Sequence, residues 1–517
     1  MVPAGVAVPG SLADLRSVVD WARHAGVSLT ARGAGSGIPG NSVGSGVIVD
    51  LRERMPRRLE VDPTRGTAIT SANITQAELT RAALPHGLRL PPDPSSSGWA
   101  TLGGMVSTNA SGPRTVRYGP VRPWVQALEL VTADGETGWL ERGPQERPPV
   151  TALAAATRFR RDAAPSITAA RQLVAERYPR TRKNTAGYPL DQWLASGDDL
   201  DLLIGAEGTL ALVTTILWRL APIPSARTGL RIALASLDDL EAAVRTLVPL
   251  EPSAVELLDK TFLDLVPRGG EHPVPASAEA ALLVEFERDD IRSARGVAGN
   301  AVRALKDLAL DIATALTSEE EKRLWALRHA ASPILAALPE DRRSMQVVED
   351  GCVPLPKLGD YIRAVRTAAL RQELTVVIFG HAGDGNVHVN VLPELARPDW
   401  TTRIATLYEE VSAAAMALGG TVSGEHGDGR LRTPLLERLY GSEILGLFRQ
   451  VKTAFDPVGI FNPGVKLGDT LSPLQDLKVG AAAAAIPDDI ALALRDIERS
   501  GGYARSRMEL AEPRPGN

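Results

Sequence analysis

The chain has 517 residues, with 57 lysines and arginines against 62 aspartates and glutamates, which gives a formal charge of -5. At roughly 100–200 residues per domain, this length predicts several packed units with a buried core. Hydrophobic residues make up 44% of the chain and charged residues 23%, which is typical of a globular protein. The sequence contains no basic stripe with interleaved aromatic residues, so nucleic acid is not expected as a partner.

The single cysteine, Cys352, excludes internal disulfides, thiolate zinc sites and iron–sulfur clusters held by this chain alone. A reducing compartment fits this composition. No apolar run reaches the roughly 18 residues that a membrane-spanning helix needs, and the N-terminus lacks the pattern of a signal peptide. The sequence therefore predicts a cytoplasmic protein without a transmembrane segment.

The first elements enclose a glycine-rich loop. Apolar residues recur at helical spacing over residues 11–26, which predicts a helix that ends at a glycine. A short strand at 27–30 and an apolar strand at 46–51 flank the glycine-rich segment 32–40. Such a loop lets backbone N–H groups approach a phosphate, because glycines carry no side chain in the way. It is not a Rossmann-type nucleotide motif, since a strand rather than a helix follows it.

Two further stretches of the same half, residues 90–96 and 102–114, are dense in small residues. Residues this small cannot form a core, but they allow a flat ligand and its pyrophosphate to lie against the backbone. Residues 125–135 predict a strand and an Asp-Gly turn, and residues 201–213 predict another strand through a glycine turn.

The order of these motifs resembles the FAD-binding domain of the vanillyl-alcohol oxidase superfamily. The likeness rests on the loop at 32–40, the Pro-Pro-Asp-Pro-Ser segment, and residues 103–114, 183–188 and 205–213. It implies an extended FAD, bound non-covalently because neither loop offers a histidine or cysteine. The residues that the resemblance implies at the cofactor are Arg32, Gly33, Ala34, Gly35, Ser36, Gly37, Pro92, Gly103, Gly104, Thr108, Asn109, Gly112, Glu207, Gly208 and Asn462.

In the C-terminal half, residues 373–392 predict two strands around an Asp-Gly turn, which is among the strongest hairpin signals in sequence. With Asp384 and Gly385 in the turn, His381 faces His388 on the neighbouring strand. Both imidazoles are then close enough to bind one metal ion. Asn390 is expected on the same face, two residues further on.

A third metal ligand is expected from residues 424–429, where Glu425 and His426 are adjacent in a glycine-framed loop. Neighbouring side chains diverge in an extended loop, so Glu425 can face the metal while His426 faces a substrate. A hydrogen-bonded loop histidine is the alternative for any one of these positions. Three of the chain's seven histidines in two glycine-rich loops favour a site.

The resemblance extends over residues 6–467 to the FAD-linked D-lactate, glycolate and D-2-hydroxyglutarate dehydrogenases. Its strongest motifs are 380–388, 424–430 and 455–464. It implies that His381, His388 and Glu425 bind a divalent metal, zinc or manganese, and that His426 is the catalytic base.

The same resemblance implies that Arg328 binds the substrate carboxylate, with the hydroxyl of Ser332 beside it and Asn390 also at the substrate. The alternative for Arg328 is an ordinary charge on a helix surface. Where D-2-hydroxyglutarate dehydrogenases place a lysine for the distal carboxylate, this chain has Val348-Glu349-Asp350. That departure weakens the case for a diacid substrate.

Glu349-Asp350 followed by Pro354, together with residues 427–430, is most similar to the flavin half of long proteins whose second half is an iron–sulfur module. That module is absent from this sequence. The resemblance implies that electrons leave through a separate iron–sulfur or quinone-linked partner, which would place the protein at the membrane periphery if the partner lies there.

The sequence thus predicts an α+β fold in which a two-part FAD-binding domain covers 1–222. An α+β substrate or cap domain with an antiparallel sheet covers 223–440, a helix in 441–468 returns to the flavin side, and a tail covers 469–517. The predicted activity is oxidation of D-lactate, D-2-hydroxyglutarate or glycolate to the 2-oxo acid, with hydride transfer to flavin N5. A metallohydrolase and a non-catalytic flavin-binding subunit remain the alternatives.

Overall fold

The fold was obtained as a computed structural model, which describes residues 1–143, 153–266, 274–468 and 487–499, together with Leu474, Leu477, Val479 and Ala483. Helices and sheets are mixed along the whole chain, which confirms the predicted α+β class. We call residues 1–222 the first part and residues 223–440 the second part.

The first part contains short strands and helices. Its strands are β1 Gly5–Ala7, β2 Leu29–Arg32, β3 Val47–Asp50, β4 Leu59–Asp62, β5 Thr67–Ser71, β6 Leu88–Arg89, β7 Val125–Val131, β8 Thr137–Glu141, β9 Leu212–Arg219 and β10 Ala221–Pro222. Its helices are α1 Leu12–Ala25, α2 Gln76–Ala83, α3 Leu102–Thr108, α4 Thr115–Tyr118, α5 Ala154–Arg158, α6 Ala164–Ala169, α7 Arg171–Arg177, α8 Leu190–Ser196 and α9 Leu200–Leu203.

Within the described residues, β1-β3-β2 form a small parallel sheet and β4-β5-β9-β7-β8 form an antiparallel one. The first helix is confirmed, because the Ser11 hydroxyl caps α1 by accepting from the Asp14 N–H. Gly26 then ends the helix at a φ of 64°, a backbone conformation that favours glycine.

The strand predicted through residues 201–213 is wrong over its first residues, which form α9 instead. A run this short does not distinguish a buried strand from a buried helix by its periodicity. In the structure the Asp201 carboxylate accepts from Arg122 and Arg142, which holds the short helix in place. The strand itself, β9, begins at Leu212.

The second part is built on one antiparallel sheet. Its strands are β11 Ala226–Leu234, β12 Ala254–Asp259, β13 Ala280–Arg288, β14 Ala309–Ala315, β15 Gly351–Cys352, β16 Thr375–His381 and β17 Asn386–Leu392. Its helices are α10 Asp238–Leu247, α11 Lys260–Leu265, α12 Ile291–Leu305, α13 Ser318–His329, α14 Ala331–Ala336, α15 Leu358–Arg371, α16 Trp400–Ala417, α17 Gly429–Arg432 and α18 Leu436–Tyr440. The helices α19 Ser442–Phe455 and α20 Asp488–Arg499 follow.

The described strands of this sheet pair in the order β14-β11-β13-β12-β16-β17-β15, and every pairing is antiparallel. The antiparallel sheet predicted for the cap domain is therefore confirmed. Among the described residues, no helix is both long enough and apolar enough to cross a lipid bilayer.

The hairpin between β16 and β17 has a different register from the predicted one. His381 pairs with Asn386 rather than with His388, and His388 pairs with Phe379. The reason is a longer connection, since residues 382–384 form a single helical turn and Gly385 follows at a φ of 73°. Because side chains alternate between faces, a shift of two residues leaves His381 and His388 on the same face, and Asn390 with them.

Helix α19 packs into the hydrophobic core of the first part, although it follows the second part in sequence. Phe448 is fully buried, with its ring 5.5 Å from those of Tyr188 and Tyr440. The chain therefore returns to the first part after crossing the second.

Buried ion pairs also join the two parts. Arg114 of the first part binds both carboxylate oxygens of Glu285 at 2.8 Å. Arg89 binds Glu287 in the same way at 2.8 and 2.7 Å. Paired charges of this kind fix orientation, because separating either partner would leave a buried charge uncompensated.

The return of α19 predicts a large cost for Phe448→Ala. Removal of this ring leaves a cavity between two tyrosines, and we expect the free energy of unfolding to fall by about 3–5 kcal/mol. Denaturant unfolding measures the loss. Gln450→Ala, at an exposed position of the same helix, is the control and should change little. Equal effects of the two substitutions would show that α19 is not part of the core.

Candidate functional site

A cavity of about 1030 Å³ lies between the two parts. One wall consists of backbone-rich segments of the first part, and the other carries the polar side chains of the second. The polar wall includes Arg328, His329, Arg343, Ser344, Gln346, His381, His388, Asn390, Glu425 and His426.

Most of the residues predicted at the cofactor line the first wall. They are Gly33, Ala34, Gly35, Ser36, Gly37, Gly103, Gly104, Thr108, Gly112, Glu207 and Gly208. Two glycines show why small residues are needed there. A Cβ on Gly33 would lie 2.3 Å from the Thr101 hydroxyl oxygen, and one on Gly103 would lie 2.6 Å from the Cβ of Ala72. The wall is thus a close-packed cradle with exposed backbone, which suits an extended dinucleotide.

Four other residues predicted at the cofactor lie outside this wall. Asn462 supports the wall from behind, because its side-chain amide donates at 2.8 Å to the carbonyl oxygens of Asn41 and Glu207. Asn109 ends α3 at a φ of 49°, and its side-chain oxygen accepts a hydrogen bond from the Arg122 N–H. The other two residues, Arg32 and Pro92, each form a hydrogen bond within the first part.

Three of the histidines of the polar wall, His381, His388 and His426, share one arrangement, in which Nδ1 is hydrogen-bonded and Nε2 points inward. His388 Nδ1 lies 3.0 Å from the Glu349 carbonyl oxygen, which can only accept, so this nitrogen carries the proton. His381 Nδ1 lies 2.6 Å from the Glu256 carboxylate, and His426 Nδ1 lies 2.7 Å from the Glu349 carboxylate. Because Nδ1 of each ring is engaged, the three Nε2 atoms are the nitrogens directed at one place.

That place is the Glu425 carboxylate. Its Oε1 lies 3.0 Å from His381 Nε2, 3.3 Å from His388 Nε2 and 3.7 Å from His426 Nε2. Its Oε2 accepts from the Lys183 ammonium at 2.7 Å. Burial raises the pKa of Glu425, but Lys183 and His381 hold that pKa well below its usual range. Glu425 is therefore a carboxylate anion with oxygen lone pairs at the centre of the cluster.

The loop that carries Glu425 and His426 is fixed by buried carboxylates on two sides. Asp350 accepts from the backbone N–H groups of both residues, at 3.0 and 2.8 Å. Glu207 of the first part accepts from the N–H groups of Asp428 and Gly429, at 2.8 and 2.9 Å. The loop consequently has one conformation, with Glu425 directed at the histidines of the sheet and His426 at the cavity.

The environment of His426 is strongly negative. Burial lowers the pKa of His426, but the Glu349 and Asp350 carboxylates raise it to about 9. Glu349 is held in turn by Arg432, which is fully buried beside it. His426 thus has a fixed ring orientation and a high affinity for a proton.

Arg328 is buried rather than exposed, with 4% of its surface accessible, so the alternative of a plain surface charge is wrong. Its Nε donates to Glu256 at 2.7 Å, and the same carboxylate orients His381. Asn390 lines the cavity, and its Oδ1 accepts from the Ser344 hydroxyl at 3.0 Å. Among the described residues its buried Nδ2 has no partner, so this donor fits a ligand oxygen. The side chain of Ser332, in α14, lies outside the described residues.

Four charged residues of the site carried no role in the sequence analysis. Glu256 left the clearest signal, because it is the one carboxylate inside the apolar run 254–258, and a charge in a buried strand requires a partner. Lys183 lies in the segment 183–188, which was used only for the family resemblance, and Arg432 lies two residues beyond the motif 424–430. Glu349 was noted as the replacement of a lysine and as part of a family pattern, without a role in the site.

The cluster fits a divalent cation by the chemistry of its donors. One ligand atom each from His381, His388 and Glu425 lies within 4.8 Å of the others. Two imidazole nitrogens and one carboxylate oxygen are a donor set that zinc and manganese accept. A second group of Glu349, Asp350, His388 and His426 meets the same distance limit. Its carboxylates are already bound by Arg432 and by backbone N–H groups, so it is less suited to an ion.

Comparisons with known proteins identify the family of the chain and support FAD binding. Residues 3–141 match the FAD binding domain, and residues 223–465 match the C-terminal domain of FAD linked oxidases. The chain is 31% identical over 462 residues to D-lactate dehydrogenase of Archaeoglobus fulgidus, across 89% of this chain and 90% of that protein. It is 28% identical over 469 residues to glycolate oxidase subunit GlcD of Bacillus subtilis, across 90% and 88%.

A third relative is longer. D-2-hydroxyglutarate dehydrogenase of Pantoea ananatis is 28% identical over 504 residues, across 90% of this chain but 48% of its own length. Among solved structures, 4-ethylphenol oxidase from Gulosibacter chungangensis has a TM-score of 0.65 at 16% identity, across 91% of this chain and 90% of its own. p-Cresol methylhydroxylase has a TM-score of 0.63 at 12% identity, across 89% and 88%. At these identities the two structures show the fold alone. The family matches and the D-lactate dehydrogenase relative confirm the predicted resemblance to FAD-linked dehydrogenases.

The donor set predicts that His381→Ala weakens metal binding. Loss of one nitrogen donor should reduce the affinity for Mn²⁺ by more than the roughly 10–100-fold that outer-shell changes cause. Calorimetric titration of metal-stripped protein measures this affinity. His329→Ala is the matched control, because His329 lines the same cavity but does not belong to the cluster. Unchanged affinity in His381→Ala would remove this residue from the ligand set.

Proposed function

Because the chain belongs to the family of FAD-linked oxidases, we propose that it oxidises a D-2-hydroxy acid to the 2-oxo acid, with FAD as the hydride acceptor. The observation that carries the proposal is the convergence of three imidazole Nε2 atoms on Glu425 at the edge of a cavity whose other wall is a glycine-rich cradle. Relatives named for D-lactate, glycolate and D-2-hydroxyglutarate support the substrate class.

The reaction removes the hydroxyl proton and the Cα hydrogen of the substrate. A divalent cation held by His381, His388 and Glu425 would supply a Lewis acid that lowers the pKa of the hydroxyl, and FAD would accept the Cα hydrogen as hydride. Zinc and manganese both suit the donors. The remaining tasks fall to side chains of this chain, which must orient the acid and take up one proton.

Arg328 is proposed to bind the substrate carboxylate. A guanidinium forms two parallel, charge-assisted bonds with a carboxylate, which fixes the orientation of the neighbouring Cα. Glu256 accepts from Arg328 with one carboxylate oxygen and orients His381 with the other. The same carboxylate therefore positions both the arginine proposed to bind substrate and the proposed metal ligand. Asn390 adds a donor on the same wall of the cavity, and the hydroxyl of Ser332 is also proposed to contact the substrate.

His426 is proposed as the base that takes the hydroxyl proton. Its Nδ1 is bound to Glu349, so Nε2 is the nitrogen available to the substrate. The neighbouring carboxylates, which raise the pKa of His426, also stabilise the imidazolium that forms. A cation held by the adjacent ligands would oppose this effect and lower the pKa of His426.

The polar wall also carries groups suited to a second carboxylate. Arg343, Ser344 and Gln346 line the cavity there. Glu349, which replaces an expected lysine in sequence, is instead committed to Arg432 and His426. We therefore propose that Arg343 provides the second cationic contact, which keeps a diacid such as 2-hydroxyglutarate among the candidate substrates.

The reoxidation partner and the division of the chain are also proposals. One relative is named as a subunit, which supports a separate electron acceptor of the iron–sulfur or quinone-linked class. The two hydrophobic cores support domains at 1–222 and 223–440, with 441–468 returning to the first of them and 469–517 as a tail.

A substrate panel tests the proposed function. The protein, reconstituted with FAD and Mn²⁺, is assayed with both enantiomers of lactate and 2-hydroxyglutarate, and with glycolate, using an artificial electron acceptor. We expect turnover with D-acids or glycolate and none with L-acids. A protein that does not bind FAD, or that hydrolyses an ester or amide instead, would favour the metallohydrolase alternative.

His426→Ala should leave FAD bound but reduce turnover by about 10²–10⁴-fold, the range for loss of acid–base catalysis. The absorption spectrum of the purified variant reports FAD, and steady-state kinetics report kcat. Unchanged kcat would exclude His426 as the base.

Arg343→Ala should lower kcat/KM for D-2-hydroxyglutarate by about 10–100-fold, since a hydrogen bond to a charged group contributes about 1.5–3 kcal/mol. Lactate, which has no distal carboxylate, should be affected much less. The exposed neighbour Arg342 provides the control variant, Arg342→Ala. Equal losses for both acids in Arg343→Ala would contradict the assignment.

A further inference from the structure

The C-terminal tail contributes to the cavity wall, although it lies far along the chain from the proposed catalytic residues. Leu474, Leu477 and Val479 pack against the hydrophobic core of the second part. Helix α20 then lies against α14, the short helix that directly follows Arg328 and His329. The tail is therefore attached to the substrate side of the cavity rather than to the cradle.

Two tail residues line the cavity itself, Val479 and Leu494. Beside them the wall is formed by Leu335 and Ala336 of α14. Leu494 is 47% exposed, which is expected of a residue at the mouth of a cavity. Together with α14, the described tail residues thus add an apolar rim beside the polar wall.

The two faces of α20 differ in whether they line the cavity. Leu492 is 62% exposed and does not line the cavity, whereas Leu494 does. Residues two apart on a helix point to nearly opposite sides, because each residue advances about 100° around the axis. The same helix therefore offers a cavity residue and a matched outer leucine.

We propose that helix α20 covers the substrate-side mouth of the cavity and that Leu494 limits the size of the side chain that a 2-hydroxy acid can carry. This inference rests on the proposed function for the identity of the substrate. The substrate carboxylate is proposed at Arg328, on the helix before α14, so the rim formed by α14 and Leu494 lies on the same side of the cavity as the substrate. An apolar side chain at that rim excludes acids that are too long and shields the compartment from water.

The first arm of the test measures substrate length. Full-length Leu494→Ala and Leu492→Ala proteins are assayed with D-2-hydroxy acids of increasing unbranched chain length. Removal of the Leu494 side chain should raise kcat/KM for the longest acids about tenfold relative to lactate, the scale of discrimination that a methylene-sized contact provides. Leu492→Ala should keep the wild-type profile. An unchanged length profile in Leu494→Ala would overturn the size limit.

The second arm does not depend on activity. The native chain has one cysteine, Cys352, which is buried, so a thiol introduced on α20 is readily distinguished. Leu494→Cys and Leu492→Cys proteins are treated with a polyethylene-glycol maleimide, and the modification rates are compared. The thiol from Leu494→Cys should react several-fold more slowly, because it faces the cavity rim and α14. Equal rates would overturn the placement of the helix.

The two arms separate the failure of the inference from the failure of the proposed function. If the wild-type protein oxidises no 2-hydroxy acid, the proposed function and the size limit fail together. The thiol rates still decide whether α20 covers the mouth of the cavity. If oxidation occurs and both leucine variants share the wild-type length profile, the size limit fails alone.

Discussion

The site depends on one buried carboxylate, that of Glu425. An anion in this position is unfavourable unless it is paired and hydrogen-bonded. Lys183 of the first part pairs with the Glu425 carboxylate at 2.7 Å. His381 and His388, on the sheet of the second part, contact the other oxygen of the same carboxylate. The contacts that make the carboxylate tolerable therefore also join the two parts at the place where the cavity lies. A metal cation would take over part of the same compensation.

Preorganisation follows from the way in which the neighbouring groups are held. The loop with Glu425 and His426 is bound by Asp350 on one side and by Glu207 on the other. Lys466 pairs with Glu207 at 2.9 Å, so the negative charge of this buried carboxylate is compensated. Groups fixed in advance need not reorganise during a reaction, which is how a polar site stabilises developing charge.

Local patterns predicted much of this structure. The spacing of apolar residues gave α1 and its glycine end, and two-residue alternation kept His381, His388 and Asn390 on one face even though the register was wrong. The error arose because a helical turn lengthened the hairpin loop, a choice that depends on packing around Gly385. Partners such as Lys183, which lies 242 residues from Glu425, depend on tertiary contacts that no local pattern encodes.

The most direct measurement is anaerobic reduction of the FAD-loaded protein by a D-2-hydroxy acid that carries protium or deuterium at Cα. We predict that the D-acid bleaches the flavin absorbance and the L-acid does not, and that deuterium slows the bleaching. Removal of the divalent metal should stop it, and Mn²⁺ should restore it. Bleaching that is insensitive to chelation and to the configuration of the acid would contradict the assigned site.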